Sequence, residues 1–236
     1  MSRILLTSAI VALAASAPAA LKADGLIHQL PKDGAWALYD LKFAISRGGE
    51  QRELTGTLRV ASVGKTVEDG KDARWIEFRL DFKLPDEGER TILSKVLVPD
   101  EHLQAGKSPV DHIIRGWLKE PEADQARRIE GDNLGPLPIF LGGPGKDHRK
   151  LDAETLKNEK LGEIEAAGAG GTIEYQEGNR QQAADYEVRT HEKAPFGVVT
   201  AKFTIRIQDE AEPVGRATLT LSDIGDTALS DLPDRK

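Results

Sequence analysis

From Trp36 onward, apolar residues occupy every second position in a series of short segments, a period that puts alternate side chains on opposite faces of a strand. Ala37, Tyr39, Leu41, Phe43 and Ile45 line one side of a first strand. Leu54, Gly56, Leu58 and Val60 line a second, after a turn at Arg47-Gly48-Gly49. In the third, Ile76, Phe78, Leu80, Phe82 and Leu84 alternate with Glu77, Arg79, Asp81 and Lys83, and Pro85-Asp86-Glu87-Gly88 supplies the turn. A fourth runs from Thr91 to Val98. Its Ile92, Val96 and Val98 oppose Leu93 and Leu97, which predicts a strand covered on both faces.

The middle of the chain departs from this period. Ser108-Pro109-Val110-Asp111 offers an N-cap, a first-turn proline and an acid, and Val110, Ile113, Ile114, Trp117 and Leu118 then recur at helical spacing. This predicts an amphipathic helix over Pro109 to Leu118, ending before Pro121. A polar helical piece follows from Glu122 to Ile129. Gly135 to Gly145 is too rich in Pro and Gly for a regular element and too apolar for a free loop, so it must pack against something; Asp152 then caps a short helix through Lys157. Strands return from Lys160. Gly168-Ala169-Gly170-Gly171 reads as a hairpin turn between Leu161 to Ala166 and Thr172 to Gln176, and Glu177-Gly178-Asn179 turns into Arg180 to His191. Val199, Ala201, Phe203, Ile205 and Ile207 form the next strand, and after Asp209 to Pro213 the last carries Ala217, Leu219 and Leu221.

The predicted fold class is mainly β: a single curved antiparallel sheet, half-barrel or incomplete barrel, with a short central helical insertion. Strands on both sides of an insertion at 107–158, with no fixed-period repeat and no low-complexity linker, make residues 24–236 one domain ending in a polar tail at 228–236. A sheet this long must twist and curl, which favours a half-barrel over a flat layer.

The stretch before the domain changes the picture most. Arg3 precedes an apolar, Ala-rich run from Ile4 to about Ala17, shorter than the roughly 20 residues of a membrane-spanning helix, and small residues follow. Residues 1–23 therefore read as a cleavable secretory signal peptide, cut after Ala23 or, as the alternative, after Ala19. No twin arginine is present. The chain has no cysteine, which excludes a lipid-anchored envelope protein and any disulfide framework. A mature chain of about 210 residues buries roughly 70% of its unfolded surface and needs no covalent staple. A soluble protein of a bacterial periplasm or exterior is expected, with no membrane span after cleavage.

Loss of Arg3 and Lys22 leaves 30 basic residues against 39 acidic, a net charge near −9 instead of −7. Both signs are interspersed, which argues for solubility and against nucleic acid or an anionic membrane as partner.

Candidate chemistry is sparse. None of His28, His102, His112, His148 and His191 stands at metal-ligand spacing, so no metal site is expected. Asp111-His112 and Asp147-His148 flank the insertion and would make a hydrolytic site only by meeting in space. Ser62-Val63-Gly64-Lys65 has the Ser-x-x-Lys spacing of penicillin-recognising enzymes without their partner motifs. Gly143-Pro144-Gly145-Lys146 lacks the earlier glycine and following hydroxyl of a phosphate loop. Glu163, Glu165 and Glu174 could supply a carboxylate pair across the predicted hairpin. No catalytic residue and no cofactor is therefore predicted.

The segment Lys193-Ala194-Pro195-Phe196-Gly197-Val198-Val199, with Leu221 to Thr227 and Leu232-Pro233-Asp234, resembles the C-terminal end of uncharacterised secreted proteins of planctomycete-type bacteria. A leader followed by a curved antiparallel sheet with a helical insertion is similar in architecture to periplasmic lipoprotein-carrier half-barrels of the LolA and LppX type. That likeness implies a non-enzymatic protein that binds or shields an apolar ligand such as a lipid or a lipoprotein acyl chain. Trp117, Ile113, Phe140 and Leu141 are the expected ligand-binding residues. The alternatives are an envelope structural or interaction protein with a filled interior, and a hydrolase using Asp111, His112 or His148.

Overall fold

A computed structural model describes residues 25–236 apart from 48–49, 85–87, 130–133, 135–136, 144, 178–179, 208–211 and 233–236. The predicted leader, Met1 to Ala23, and the tips of four predicted hairpins lie outside the described residues. Eleven strands form one antiparallel sheet: β1 (Trp36–Arg47), β2 (Glu50–Glu68), β3 (Lys71–Leu84), β4 (Gly88–Pro99), β5 (Arg115–Lys119), β6 (Arg127–Arg128), β7 (Gly145–Asn158), β8 (Gly162–Glu177), β9 (Arg180–Thr190), β10 (Val198–Ile207) and β11 (Gly215–Gly225). Their spatial order is β6-β5-β4-β3-β2-β1-β11-β10-β9-β8-β7. The sheet is thus two meanders, β1 to β6 and β7 to β11, seamed where β1 pairs with β11. Its edge strands β6 and β7 do not pair with each other, so the barrel stays open.

The alternation seen in the sequence sets the two faces. Register puts Tyr39, Leu58, Leu80 and Ile92 in one inward-pointing row, and Leu41, Leu219 and Ala201 in another. Four short pieces fill one end of the concave side: Leu26 and Ile27, Leu103 and Val110 after β4, Leu137 to Leu141, and Ala194 and Phe196 between β9 and β10, all buried. The Leu26 N–H donates to the Phe140 carbonyl at 2.8 Å, His28 N–H to Phe196 at 2.8 Å and Ala105 N–H to His28 at 3.2 Å. The start of the domain therefore ties three of these pieces together and closes that end. β4 is buried on both faces from Ser94 to Val98, as expected.

Several predicted helices are not formed. Pro109 to His112 is one 3₁₀ turn, and the chain then straightens into β5. The helical spacing of Val110, Ile113, Ile114, Trp117 and Leu118 arises because β5 carries apolar residues on both faces, which hides its period of two. Glu122 to Ile129 is a turn leading to the two residues of β6. Pro138–Gly142 forms a π-helical turn, all of it buried, so the apolar loop does pack. Asp152 to Lys157 belongs to β7, and the helical insertion shrinks to these two isolated turns.

Gly168 to Gly171 is also not a turn; β8 runs straight through it. These glycines do not have positive φ. They are needed for space. A Cβ on Gly168 would overlap the Arg189 guanidinium, and one on Gly171 would lie 2.6 Å from the Tyr186 hydroxyl.

Candidate functional site

The sheet's two ends differ. At the closed end inward side chains such as Ile76, Phe78, Val96, Ala201 and Leu221 are fully packed. Toward the other end of the sheet, which carries the β1–β2, β3–β4, β8–β9 and β10–β11 connections, Phe43, Leu80, Ile92, Tyr175 and Ile205 are only half-buried against the core. Phe82 and Leu84 continue the inward row of β3 and are half-buried too. The result is an apolar trough on the concave face, open at the hairpin end. Its floor is Phe140, whose ring stacks on Phe78 with centroids 6.3 Å apart, one inward position before Leu80. The Phe43 ring lies over the bare backbone of Gly215, where a Cβ would come within 3.2 Å of it.

An open recess of about 530 Å³ continues the trough, lined by Phe82, Leu84, Arg90, Glu120, Pro121, Glu122 and Ala123. Arg90 pairs in register with Phe82 and so points to the concave face. Its Nη2 lies 3.0 Å from Glu122 Oε1, on the β5–β6 connection. At the opposite wall the Tyr175 hydroxyl donates to Gln182 Oε1 at 2.8 Å. The trough thus has apolar walls and polar groups at its rim. A second recess, about 470 Å³, lies mainly on the convex face among Thr55, Thr57, Arg79, Asp81 and Thr91 and is also lined by Phe82 and Arg90, with Asp81 held by Arg79 at 2.8 Å and Thr91 at 2.6 Å.

Of the four residues expected to close a cavity, Phe140 and Leu141 sit in the buried π turn and Ile113 packs half-buried against the same core. Trp117 lies apart from them. Leu118 is the inward residue of β5, so Trp117 points to the convex face, where its ring meets Trp75 at 5.4 Å between centroids. The side chains of the trough wall were visible as strand residues, but their partial exposure was not. Arg90 lies one residue before the predicted start of the fourth strand at Thr91, and its phase with Ile92 is the sequence signal that assigns it to the concave face.

The hydrolytic candidates do not assemble. His112 stacks on His102, with ring centroids 3.5 Å apart, while His148 Nδ1 meets the Tyr186 hydroxyl at 3.1 Å. His102 is held below the usual imidazole pKa, by burial first and then by the neighbouring His112. Among the described residues no group of three or more ligating side chains is placed to hold a metal ion. Ser62 is fully buried with its Oγ unbonded, and Lys65, beyond a bulge, faces Asp100 at 4.0 Å. Lys146 is bonded to Glu174 at 2.5 Å. Glu165 and Glu174 lie nine residues apart on one strand, about 30 Å at 3.3 Å per residue, beyond the ~10 Å of a glycosidase pair.

No protein-family model matches the chain, and no curated protein matches it by sequence. Solved structures resemble it at low identity. A DUF1329 family protein from Desulfovibrio piger shares 15% identity and a TM-score of 0.35, over 85% of this chain and 89% of that one. A candidate outer membrane lipoprotein-sorting protein domain from Vibrio parahaemolyticus gives 11% and 0.35, over 85% and 89%. A β-barrel-like protein of the DUF1849 domain from Brucella abortus gives 9% and 0.28, over 84% and 98%. Among the described residues no helix is long and apolar enough to cross a membrane.

Proposed function

We propose that this is a non-enzymatic binding protein, delivered by a cleavable leader to a bacterial periplasm or exterior, which holds the apolar chain of a lipid or acylated molecule in the trough. The observation that carries this is the group of half-buried Phe43, Leu80, Ile92 and Ile205 at the hairpin end of the concave face. A cluster of inward apolar side chains left half in water marks a surface that gains from being covered. The recess of about 530 Å³ falls within the ~300–1,000 Å³ of small-ligand sites. Each methylene buried there contributes about 0.8 kcal/mol, so roughly ten methylenes supply about 8 kcal/mol before the cost of association. Phe140 and Leu141 act from below, as the floor and its support.

The test is binding of N-phenyl-1-naphthylamine, an uncharged dye that fluoresces in apolar surroundings. The mature protein is expected to bind it saturably, and Leu80→Asp to weaken binding at least tenfold with the β circular dichroism retained. No saturable signal from folded protein would favour the filled structural half-barrel instead.

A further inference from the structure

The two short turns that follow β4, Asp100–His102 and Pro109–His112, meet through their histidines. The rings stack with centroids 3.5 Å apart and planes 12° from parallel, a contact open to neutral imidazoles and repulsive once both carry charge. The loop between the turns buries Leu103 and Val110 in the core and is tied to the closed end by the Ala105 N–H bond to the His28 carbonyl. The second turn packs against the π turn that carries Phe140, and a Cβ on Gly143, at the end of that turn, would lie 3.5 Å from Val110 Cγ1. Lys71 and Lys107 act on His102 as further cations, and Glu101, 3.6 Å from its Nε2, is itself held by Lys71 at 2.9 Å. Asp100 is taken by Arg74 at 3.0 Å, with Lys65 at 4.0 Å, and on the second turn Asp111 adjoins His112. Burial first and His112 next hold His102 below the usual imidazole pKa, so parted turns, with both rings back in water, take the second proton more readily than stacked ones. Acid therefore favours parting. We infer that the stack is an acid-operated latch on the trough: with both rings protonated the two turns separate, the Phe140 floor loosens and the bound apolar chain is released. This inference rests on the trough being a lipid-binding site and adds how that site is regulated.

The experiment titrates N-phenyl-1-naphthylamine into the full mature protein at pH 7.5 and pH 5.0, with circular dichroism confirming that the chain stays folded. The natural chain is expected to hold the dye about tenfold less tightly at pH 5.0. His112→Phe keeps a flat ring on His102 and cannot be charged, so it should bind the dye equally at both pH values, as should His102→Phe. His28→Gln should keep the full response, since the latch does not use that ring. A response that survives in both phenylalanine variants, or that His28→Gln alone removes, overturns the latch while lipid binding stands. The movement can also be read without ligand, by hydrogen–deuterium exchange of the natural chain and His112→Phe at the same pH. At pH 5.0 the amides of Leu103, Val110 and Ile139 to Gly142 should exchange about tenfold faster in the natural chain, and at pH 7.5 equally in the two proteins. Equal exchange at both pH values overturns the latch. Exchange that responds as expected in a protein that binds no dye at either pH leaves the latch in place and overturns the lipid-binding reading.

Discussion

His28 shows how one buried side chain sets a pH limit on the whole fold. It lies in the segment that ties the closed end, its Nε2 is 3.2 Å from the Gly25 carbonyl, and its Nδ1 has no partner. Burial pushes its pKa down to about 4, only partly offset by the Gly25 contact. The unfolded chain takes the proton near 6.5, so between those values the unfolded state binds more protons than the folded one. Stability is whole above about pH 6.5, falls as the pH drops, and levels off below about 4, with about 3 kcal/mol lost in all. Urea unfolding at pH 7 and pH 4.5, followed by tryptophan fluorescence, should show this loss in the natural chain. In His28→Gln the difference between the two pH values should shrink by most of that amount; an equal loss in both would assign the acid sensitivity elsewhere. A lone histidine carries no sign of this in sequence, because the pattern around Leu26-Ile27-His28 is too short to reveal a buried tie. The glycines of β8 misled for a related reason. Gly168 and Gly171 are small to admit Arg189 and Tyr186 from the neighbouring strand, and that neighbour is unknown until register is known.

Among the elements, the segment after β11 is more than a polar tail. Cross-strand partners Glu77 and Lys95 point to the convex face yet are only 2% and 1% exposed, because residues 230–232 cover them. The Glu77 carboxylate accepts from Ser230 Oγ at 2.6 Å and from the N–H groups of Asp231 and Leu232 at 2.9 and 3.2 Å. Lys95 Nζ donates to the Leu232 carbonyl at 3.2 Å and sits 5.1 Å from the centre of the Trp75 ring. Removing one buried charge strands the groups it served, so Glu77→Ala should cost about 3–5 kcal/mol. Glu77→Leu combined with Lys95→Met should cost less than the two single changes summed, since neither then leaves a bare charge. Thermal unfolding of the four proteins measures this, and strict additivity would mean that the tail does not couple the two residues. What the sequence made legible at this scale were strands with one wet face, such as β1, β3 and β10. β5 reads as a helix in sequence because half-buried Trp117 and buried Leu118 put apolar side chains on opposite sides of the strand, and no periodicity separates those cases.

At the scale of the molecule, the sheet is densely packed at one end and half-finished at the other, and this asymmetry should govern both its motions and its response to ligand. Hairpin neighbours such as β1–β2 and β3–β4 follow from chain order, and the curved antiparallel sheet could be anticipated from them. The seam of β1 on β11, which joins Tyr39 to Leu221 across most of the chain, could not, because alternation gives each strand's faces and not its partner. Local opening is easiest where few apolar contacts are buried and backbone bonds meet water. Amides of Tyr39, Phe78, Val96 and Ala201 should therefore exchange only through global unfolding, and those of Phe43, Ile45, Ile92 and Ile205 far sooner by opening at the hairpin end. A ligand that fills the trough binds the closed form of that end alone. At a hundredfold excess over its Kd it should slow exchange at the second set by about a hundredfold, or about 2.7 kcal/mol. Amides of the first set, which exchange only through global unfolding, should slow by the same factor, because a ligand bound to the folded state alone raises global stability by the same amount. Hydrogen–deuterium exchange with and without decanoate reads this pattern; protection confined to the convex face around Trp75 and Trp117 would move the binding site to the other side of the sheet.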